Sequence, residues 1–229
     1  KRIKSKTFVS SAGSWLFSDV KPKKNLISKK YYLDNLFDIL SLVANKKIKR
    51  INNYSCPREL EVELHKIFKN KNACIGLAPG AGEKNKKWKI ENFLNVAKYF
   101  SDNGHDIAFF TGPEDFLEKK IILKTFPEAF FPEDLITNFF GPEVVMASTN
   151  FLLCSLSNDR GVSHMLSTNL SPLLKLFGPK DPIKFTPEST MITTLSANQY
   201  GSDNINSIPV EEVIKSIKKL INNLNNYSI

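Results

Sequence analysis

The sequence predicts an α/β protein built on a doubly wound parallel sheet. From residue 73 onward, short apolar runs alternate with amphipathic helical segments. Strands that are apolar throughout are typical of parallel sheets covered by helices on both faces. Several of these runs stop at a glycine, at 79–82, 111–113, 141 and 158–161. Ligands of open α/β sheets bind at the carboxyl ends of the strands, so these segments mark the edge where a site is expected.

The composition favours a globular protein, and its basic charge is compatible with several kinds of anionic partner. The chain has 229 residues, of which 41% are hydrophobic and 24% charged, and its formal net charge is +9. A basic balance suits a phosphorylated substrate, an anionic membrane surface or a nucleic acid. The basic residues are scattered along the chain, which leaves nucleic-acid binding a distant alternative. No apolar run approaches the ~18 residues that a membrane-spanning helix needs.

The cysteines predict buried thiols rather than a metal centre or a disulfide framework. Cys56, Cys74 and Cys154 stand far apart without a C-x-x-C pair, and the last two lie inside apolar runs. Buried free cysteines in a reducing compartment fit this pattern. No metal and no cofactor are expected.

The elements follow from the apolar spacing in chain order. A strand is possible at 7–11, and helices are predicted at 31–44 and 57–69, the second beginning at Pro57. Further strands are predicted at 73–82, 105–112, 135–141, 151–157, 171–178 and 191–196. Further helices are predicted at 88–104, 113–126, 142–148, 160–169 and 209–224.

The loop after the strand at 73–82 is the first candidate for anion binding. Gly80 and Ala81 leave backbone N–H groups approachable, and Lys84, Lys86 and Lys87 follow. The loop matches neither a phosphate-binding P-loop nor the G-x-G-x-x-G dinucleotide pattern. It is either a phosphate contact or a solvated basic turn before a helix. Trp88 next to it is expected to anchor the packing.

The segment "SNDRGVSHML", 157–166, is the second candidate. Arg160, Gly161 and Val162 stand where a strand passes into a helix, a place that offers unpaired N–H groups to an anion. Asp159 either caps the helix or binds sugar hydroxyls, and the cap is the better explanation on local grounds. His164 is more often structural than catalytic in such a position. Glu114, in the loop 111–115, either holds ribose hydroxyls or begins a helix.

Three blocks in this order resemble a known family. "IGLAPGAG…KKWKIENFLNVAKYF", "IAFFTGPED" and "SNDRGVSHMLSTNLSPLLKLFGPKDP" are similar to the ADP-heptose:lipopolysaccharide heptosyltransferases, glycosyltransferase family 9, over about residues 73–188. The family carries a P-G-A…K-x-W-P block, a strand ending in Gly, and an N-D-S-G-x-x-H block leading to P-x-x-x-L-F-G-P. Arg160 stands where the family has Ser, and Lys89 where it has Pro.

The resemblance implies a GT-B fold with two Rossmann-like domains, of which this chain holds the donor domain. It implies an acceptor-domain remnant with the crossover helix at 1–70, the nucleotide-sugar domain at 71–205 and a final helix at 206–229. Carried over by motif, the donor site consists of Lys86 on the phosphates or sugar, Asp159 on the sugar hydroxyls, the amides of Arg160, Gly161 and Val162 on the diphosphate, Glu114 on the ribose, Phe140–Gly141 beside the base, and His164 shaping the site.

The resemblance also implies an inverting transfer of a sugar, with heptose as the first candidate, from an ADP-linked donor. The acceptor it implies is a lipid-linked saccharide at the cytoplasmic face of a bacterial membrane. The chain starts with Lys, and the family's catalytic Asp lies in residues outside it, so we expect a truncated chain that binds ADP or an ADP-sugar without turnover. The alternatives are a GT-B transferase using another nucleotide sugar and a degenerate nucleotide-sugar-binding protein. Arg160→Ser should preserve nucleotide binding unless Arg160 has become the main phosphate contact.

Overall fold

The structure is a computed structural model. It describes residues 7–10, 15–16, 18–22, 31–48, 54–80, 82, 84–186, 189 and 191–227. The chain divides into two compact units, the first comprising residues 1–51 with 183–188 and the second residues 52–182 with 189–229.

The helices of the described residues include two short ones that were not predicted, at 132–135 and 182–185, and otherwise lie close to the predicted segments. They are α1 (Tyr32–Val43), α2 (Arg58–Phe68), α3 (Ile90–Asp102), α4 (Phe116–Thr125), α5 (Pro132–Leu135), α6 (Gly141–Ser148), α7 (Gly161–Leu166), α8 (Pro182–Phe185) and α9 (Val210–Tyr227). The end of α3 illustrates the local chemistry, because Gly104 has a φ of 84° and donates its N–H to the carbonyl of Ser101. A residue without a Cβ adopts this left-handed conformation at little cost, which explains the Asn103-Gly104 stop signal.

In the first unit, α1 confirms the helix predicted at 31–44. The strand predicted at 7–11 is wrong where the structure describes it, because residues 7–10 carry no strand. Ser11 lies outside the described residues. Residues 7–10 instead contact a turn, in which the carboxylate of Asp19 accepts the N–H of Phe8.

The second unit confirms the doubly wound parallel sheet. Its strands are β1 (Ile75–Ala78), β2 (Ile107–Phe109), β3 (Cys154–Asn158), β4 (Leu173–Phe177) and β5 (Ile192–Ser196). They lie in the order β2-β1-β3-β4-β5, and every pairing is parallel. The order reverses after β1, so the loops that follow β1, β2 and β3 meet at one edge.

The strand predicted at 135–141 is wrong. Pro132 starts α5, which takes up Leu135, and Gly141 begins α6, so only residues 136–140 remain between the two helices. The edge of the sheet is occupied by Phe130, whose carbonyl accepts the N–H of Phe109 at 2.9 Å. Gly141 is therefore the first residue of a helix rather than the end of a strand.

Two apolar layers cover the sheet. One contains Trp88 with α3, α4 and α9, and the other contains α2, α6 and α7. Trp88 is fully buried, meets Phe93 edge to face at 5.3 Å and donates its indole N–H to the carbonyl of Ile208, which confirms it as a packing anchor. Helix α2 belongs to the second unit. The predicted division into an acceptor-domain remnant at 1–70, a nucleotide-sugar domain at 71–205 and a final helix at 206–229 stays a prediction.

The cysteines behave as predicted. All three are free, and Cys74 and Cys154 are buried on or beside central strands. Burial raises the pKa of each of these two thiols to about 12. Within the described part of the chain, no helix is both long enough and apolar enough to cross a membrane.

Candidate functional site

The loops after β1, β2 and β3 form the candidate site. β1 runs into Pro79-Gly80, β2 into residues 110–115, and β3 into Asp159-Arg160. Three of the four glycine-containing segments that the sequence singled out lie on this edge, and Gly141 reaches it from the start of α6.

A cavity of about 560 Å³ opens between these loops and the adjoining helices. It is lined by Phe110, Thr111, Gly112, Pro113, Asp115, Phe116, Lys119, Glu133, Asp134, Gly141, Pro142, Val145, Arg160, Gly161, Val162 and Met165. Its volume falls in the range of small-molecule and cofactor sites, roughly 300–1,000 Å³. Among the described residues, no group of three or more His, Cys, Asp or Glu is placed to hold a metal ion.

Asn158 ties two of the loops together beneath this site. Its fully buried side chain donates to the carbonyl of Pro79 at 2.8 Å and accepts the backbone N–H of Trp88 at 3.4 Å. A buried amide with partners on both sides holds the loop after β1 against the end of β3. The Asn of the "SNDRG" segment is thus a structural residue of the site.

The guanidinium of Arg160 is bonded to carboxylates of the loop after β2. One terminal nitrogen donates to both oxygens of Asp115 at 2.8 Å, and the other to Glu114 at 3.0 Å. Asp115 also accepts the N–H of Gly112 and is only 5% exposed, whereas Glu114 is 78% exposed. Arg160 therefore links the loops after β2 and β3, and the buried Asp115 is its main partner rather than the predicted site residue Glu114.

Gly80 lies against this ion pair. A Cβ built on Gly80 would come within 2.2 Å of the Asp115 carboxylate and 2.4 Å of the Arg160 guanidinium. A Cβ does not come this close to another atom, so any other residue at position 80 would require the ends of the Asp115 and Arg160 side chains to shift. Ala81, the other small residue predicted here, lies outside the described residues.

Asp159 pairs with a lysine that the sequence analysis missed. Its carboxylate lies 2.8 Å from Nζ of Lys175, in the middle of β4, and the two side chains are 12% and 2% exposed. Burial lowers the pKa of Lys175, and the hydrogen bond and charge of Asp159 oppose that shift. The available signal was a charged residue within the apolar run "LLKLF". A buried lysine is rare without a charged partner.

His164 lies one turn into α7, exposed on its outer side. Partial desolvation and the charge of Lys175 lower its pKa, while Asp159 acts in the opposite direction. The imidazole is therefore predominantly neutral near pH 7.

Lys86 ends a single 3-10 turn, Lys84–Lys86, between β1 and α3, and its side chain is half-buried. The next residue, Lys87, pairs with Glu118 of α4. Although burial opposes ionisation of Glu118, the hydrogen bond from Lys87 and the charges of Lys87 and Arg160 lower its pKa. The residue that follows the turn is thus attached to α4.

The structure brings together part of the predicted site. Gly141, Arg160, Gly161 and Val162 line the cavity, while Glu114 and Gly80 adjoin it through Arg160. Lys86, Asp159 and His164 lie outside the lining.

Glu133 also lines the cavity, although no sequence motif singled it out. One of its carboxyl oxygens is buried without a hydrogen-bond partner. Burial raises the pKa of Glu133 to about 8, so its carboxyl group is mostly protonated at neutral pH.

Comparison with known proteins places the chain in one family. The profile of glycosyltransferase family 9 (heptosyltransferase) matches residues 8–212. None of the curated protein sequences compared with the chain matches it.

Several solved structures share the fold. A glycosyl transferase family 9 protein from Veillonella parvula DSM 2008 superposes with a TM-score of 0.70 at 19% identity, over 86% of this chain and 62% of that one. E. coli ADP-heptose lps heptosyltransferase II gives 0.63 at 17%, over 76% and 54%. E. coli heptosyltransferase WaaC with ADP gives 0.63 at 15%, over 90% and 61%. The chain thus spans about 54–62% of the length of these proteins.

Proposed function

The chain belongs to glycosyltransferase family 9, and on that premise we propose that it binds the nucleotide-sugar donor of a heptosyltransferase-like enzyme. The donor we propose is an ADP-linked sugar, with heptose as the first candidate. The acceptor we propose is a hydroxyl of a lipopolysaccharide-type saccharide. Two of the similar E. coli structures, ADP-heptose lps heptosyltransferase II and heptosyltransferase WaaC with ADP, support this choice of nucleotide.

The observation that carries the proposal is the cavity at the carboxyl edge of the sheet. It lies where the strand order reverses, it has the volume of a nucleotide site, and Gly141, Arg160, Gly161 and Val162 line it. Members of the predicted donor set therefore surround one concave space, although they come from separate parts of the sequence.

Within this proposal, the backbone at Arg160–Val162 faces the diphosphate and the segment at Phe140–Gly141 flanks the base. Asp159 binds hydroxyls of the transferred sugar, and Lys86 adds a cation near the phosphates. Glu114, at the exposed rim, is within reach of the ribose, while it also bonds to Arg160 at 3.0 Å.

The chemistry we propose is a direct, inverting displacement. A base deprotonates the acceptor hydroxyl, whose oxygen forms a bond to the anomeric carbon as the bond from that carbon to the diphosphate oxygen breaks. ADP leaves with the electron pair. Cations and backbone N–H groups placed at the diphosphate stabilise the developing negative charge. We assign the base to no residue of this chain.

We further propose that the acceptor is held at an anionic membrane surface on the cytoplasmic side. The formal charge of +9 favours such a surface, since each basic residue close to it contributes about 1 kcal/mol.

A nucleotide panel tests the donor class. The melting temperature is measured with ADP, UDP, GDP, dTDP and their sugars, and calorimetry gives the dissociation constants. We expect ADP and ADP-heptose to raise the melting temperature, because a ligand at about 100 times its dissociation constant stabilises the folded state by about 2.7 kcal/mol.

Val162→Glu locates the site. It places a negative charge on the cavity wall and should abolish the rise in melting temperature caused by the nucleotide. Val62→Glu, on an exposed position of α2, should leave that rise unchanged. A preference for UDP, GDP or dTDP would favour the alternative transferase. Binding of ADP-heptose by a protein that transfers no sugar to a lipopolysaccharide-type acceptor would favour the degenerate protein. A panel without any response would contradict the proposal.

A further inference from the structure

Lys175 is a lysine at a position built for an apolar side chain. It stands in β4 between Leu174 and Leu176, which belong to the layer beneath α3 and α9. Because side chains alternate along a strand, Lys175 lies on the opposite face, on the side of α7. Its side chain is 2% exposed, and its ammonium group lies 4.8 Å from the centre of the Phe177 ring.

The interaction of Lys175 with Asp159 joins the interior of the sheet to the candidate site. Lys175 Nζ lies 2.8 Å from Oδ1 of Asp159, the residue that follows β3 and precedes the cavity-lining Arg160. Removing one partner of a buried ion pair leaves an uncompensated charge, while replacing both by apolar groups is often neutral or stabilising. Fold stability alone therefore does not account for a lysine here.

His164 is close enough to Lys175 and Asp159 for their charges to change its pKa. The charges of Lys175 and Asp159 act on it in opposite directions, from β4 and from the end of β3. The state of the imidazole thus reports whether the lysine and the aspartate are both in place.

We propose that Lys175 is a positioning residue of the donor site, which holds the Asp159 carboxylate at the end of β3 and cancels its charge beside the bound diphosphate. This inference rests on the proposed function for the position of the donor. It assigns to a residue inside the sheet a part in donor binding. The lysine acts through Asp159 and touches neither the donor nor the acceptor.

A set of variants separates this role from a purely structural one. Binding of ADP and of ADP-heptose is measured by calorimetry for the wild type, Lys175→Met, Asp159→Asn and the double variant. We expect Lys175→Met to bind ADP roughly tenfold more weakly, which is the effect of one uncompensated charge about 10 Å away at an effective dielectric constant of about 20. We expect the double variant, in which neither charge remains, to recover ADP affinity to within about threefold of the wild type.

The sugar gives the second readout. In Asp159→Asn and in the double variant, ADP-heptose should no longer bind more tightly than ADP, because both variants lack the carboxylate that contacts the sugar. Lys175→Gln keeps a hydrogen-bond donor for Asp159 without the charge. This variant should still bind ADP-heptose somewhat more tightly than ADP, while its affinity for ADP should be lower than that of the wild type.

NMR titration of His164 covers the case in which Lys175→Met folds poorly. The pKa of His164 should rise in Lys175→Gln, since a positive neighbour is gone. Lys71→Met is the matched control. Lys71 also pairs with an aspartate, Asp106 at 3.2 Å, and lies over the ring of Phe130, but at the amino ends of β1 and β2. This control should change neither ADP affinity nor the titration.

Two results are distinguishable failures. A wild type that binds no nucleoside diphosphate would contradict the proposed function and, with it, this inference. A wild type that binds ADP, together with a Lys175→Met variant of equal affinity or a double variant that is not restored, would overturn this inference alone.

Discussion

Arg160 shows at the scale of one residue how neighbours decide what a side chain can do. The sequence places a forked cation beside an anion site, where it could serve as a phosphate contact. In the structure both of its terminal nitrogens bond to carboxylates, 45 and 46 residues earlier in the chain. Its charge is thereby balanced within the protein, and its position links two loops of the cavity.

Gly80→Ala tests that link. The added methyl group must displace the Asp115–Arg160 pair, so we expect the free energy of unfolding to fall by about 1–3 kcal/mol, measured by urea denaturation. Gly82→Ala is the matched control, since a Cβ there meets nothing within 4 Å and should change stability little.

A double-mutant cycle identifies the cause. In an Arg160→Ser background, the cost of Gly80→Ala should shrink, because the guanidinium that the methyl group displaces is absent. An equal cost in both backgrounds would mean that the methyl group is opposed by the Asp115 carboxylate, the nearest group, and not by the guanidinium. The Arg160→Ser variant also allows the nucleotide affinity to be compared with that of the wild type.

At the scale of elements, the site depends on close approach between segments far apart in sequence. Gly178, the glycine of the "LFGP" segment after β4, lies under the turn Lys84–Lys86 that carries Lys86. A Cβ on Gly178 would come within 2.5 Å of the backbone carbonyl of Asn85. The motif glycine is therefore required by the backbone of another loop.

Gly178→Ala should push this turn away from the sheet. Because the obstacle is backbone rather than a flexible side chain, we expect a loss of stability of about 1–3 kcal/mol and weaker ADP binding. Urea denaturation and calorimetry measure the two effects, with Gly82→Ala again as the control. Unchanged ADP affinity in a folded variant would show that the turn does not contribute to the donor site.

The segment 135–141 illustrates the limit of apolar runs as predictors of elements. "LITNFFG" has the composition of a strand, but its first residue belongs to α5, which starts at Pro132, and its last starts α6. The backbone position beside β2 is occupied by Phe130. Tertiary competition for one sheet edge overrode the local preference.

At the scale of the whole molecule, the reactivity of the thiols shows whether the sheet is intact. Thiolates are the reactive species, and burial raises the pKa of Cys74 and Cys154 to about 12. Cys56 is only half-buried, and partial burial and Glu61 raise its pKa to a smaller extent.

We therefore expect a thiol reagent to modify one cysteine of the native protein and all three after unfolding in denaturant. Cys56→Ser should remove the native reaction and leave the other two protected. Reaction of Cys74 or Cys154 at the rate of Cys56 in native buffer would show that the sheet opens locally.

The sequence by itself determined the parallel sheet, its strands, most helices of the described residues, the edge where the candidate site lies, and the family. The strands and helices depend on periodicity inside short segments, while the sheet and the family depend on the order in which those segments and three motif blocks follow one another. Only the tertiary structure decided that Arg160 is held by Asp115, that Asp159 is paired with Lys175, and that Gly141 begins a helix. Such pairs depend on which strands become neighbours and on which side chains lose water together, and the free energies of those contacts are not encoded in local spacing.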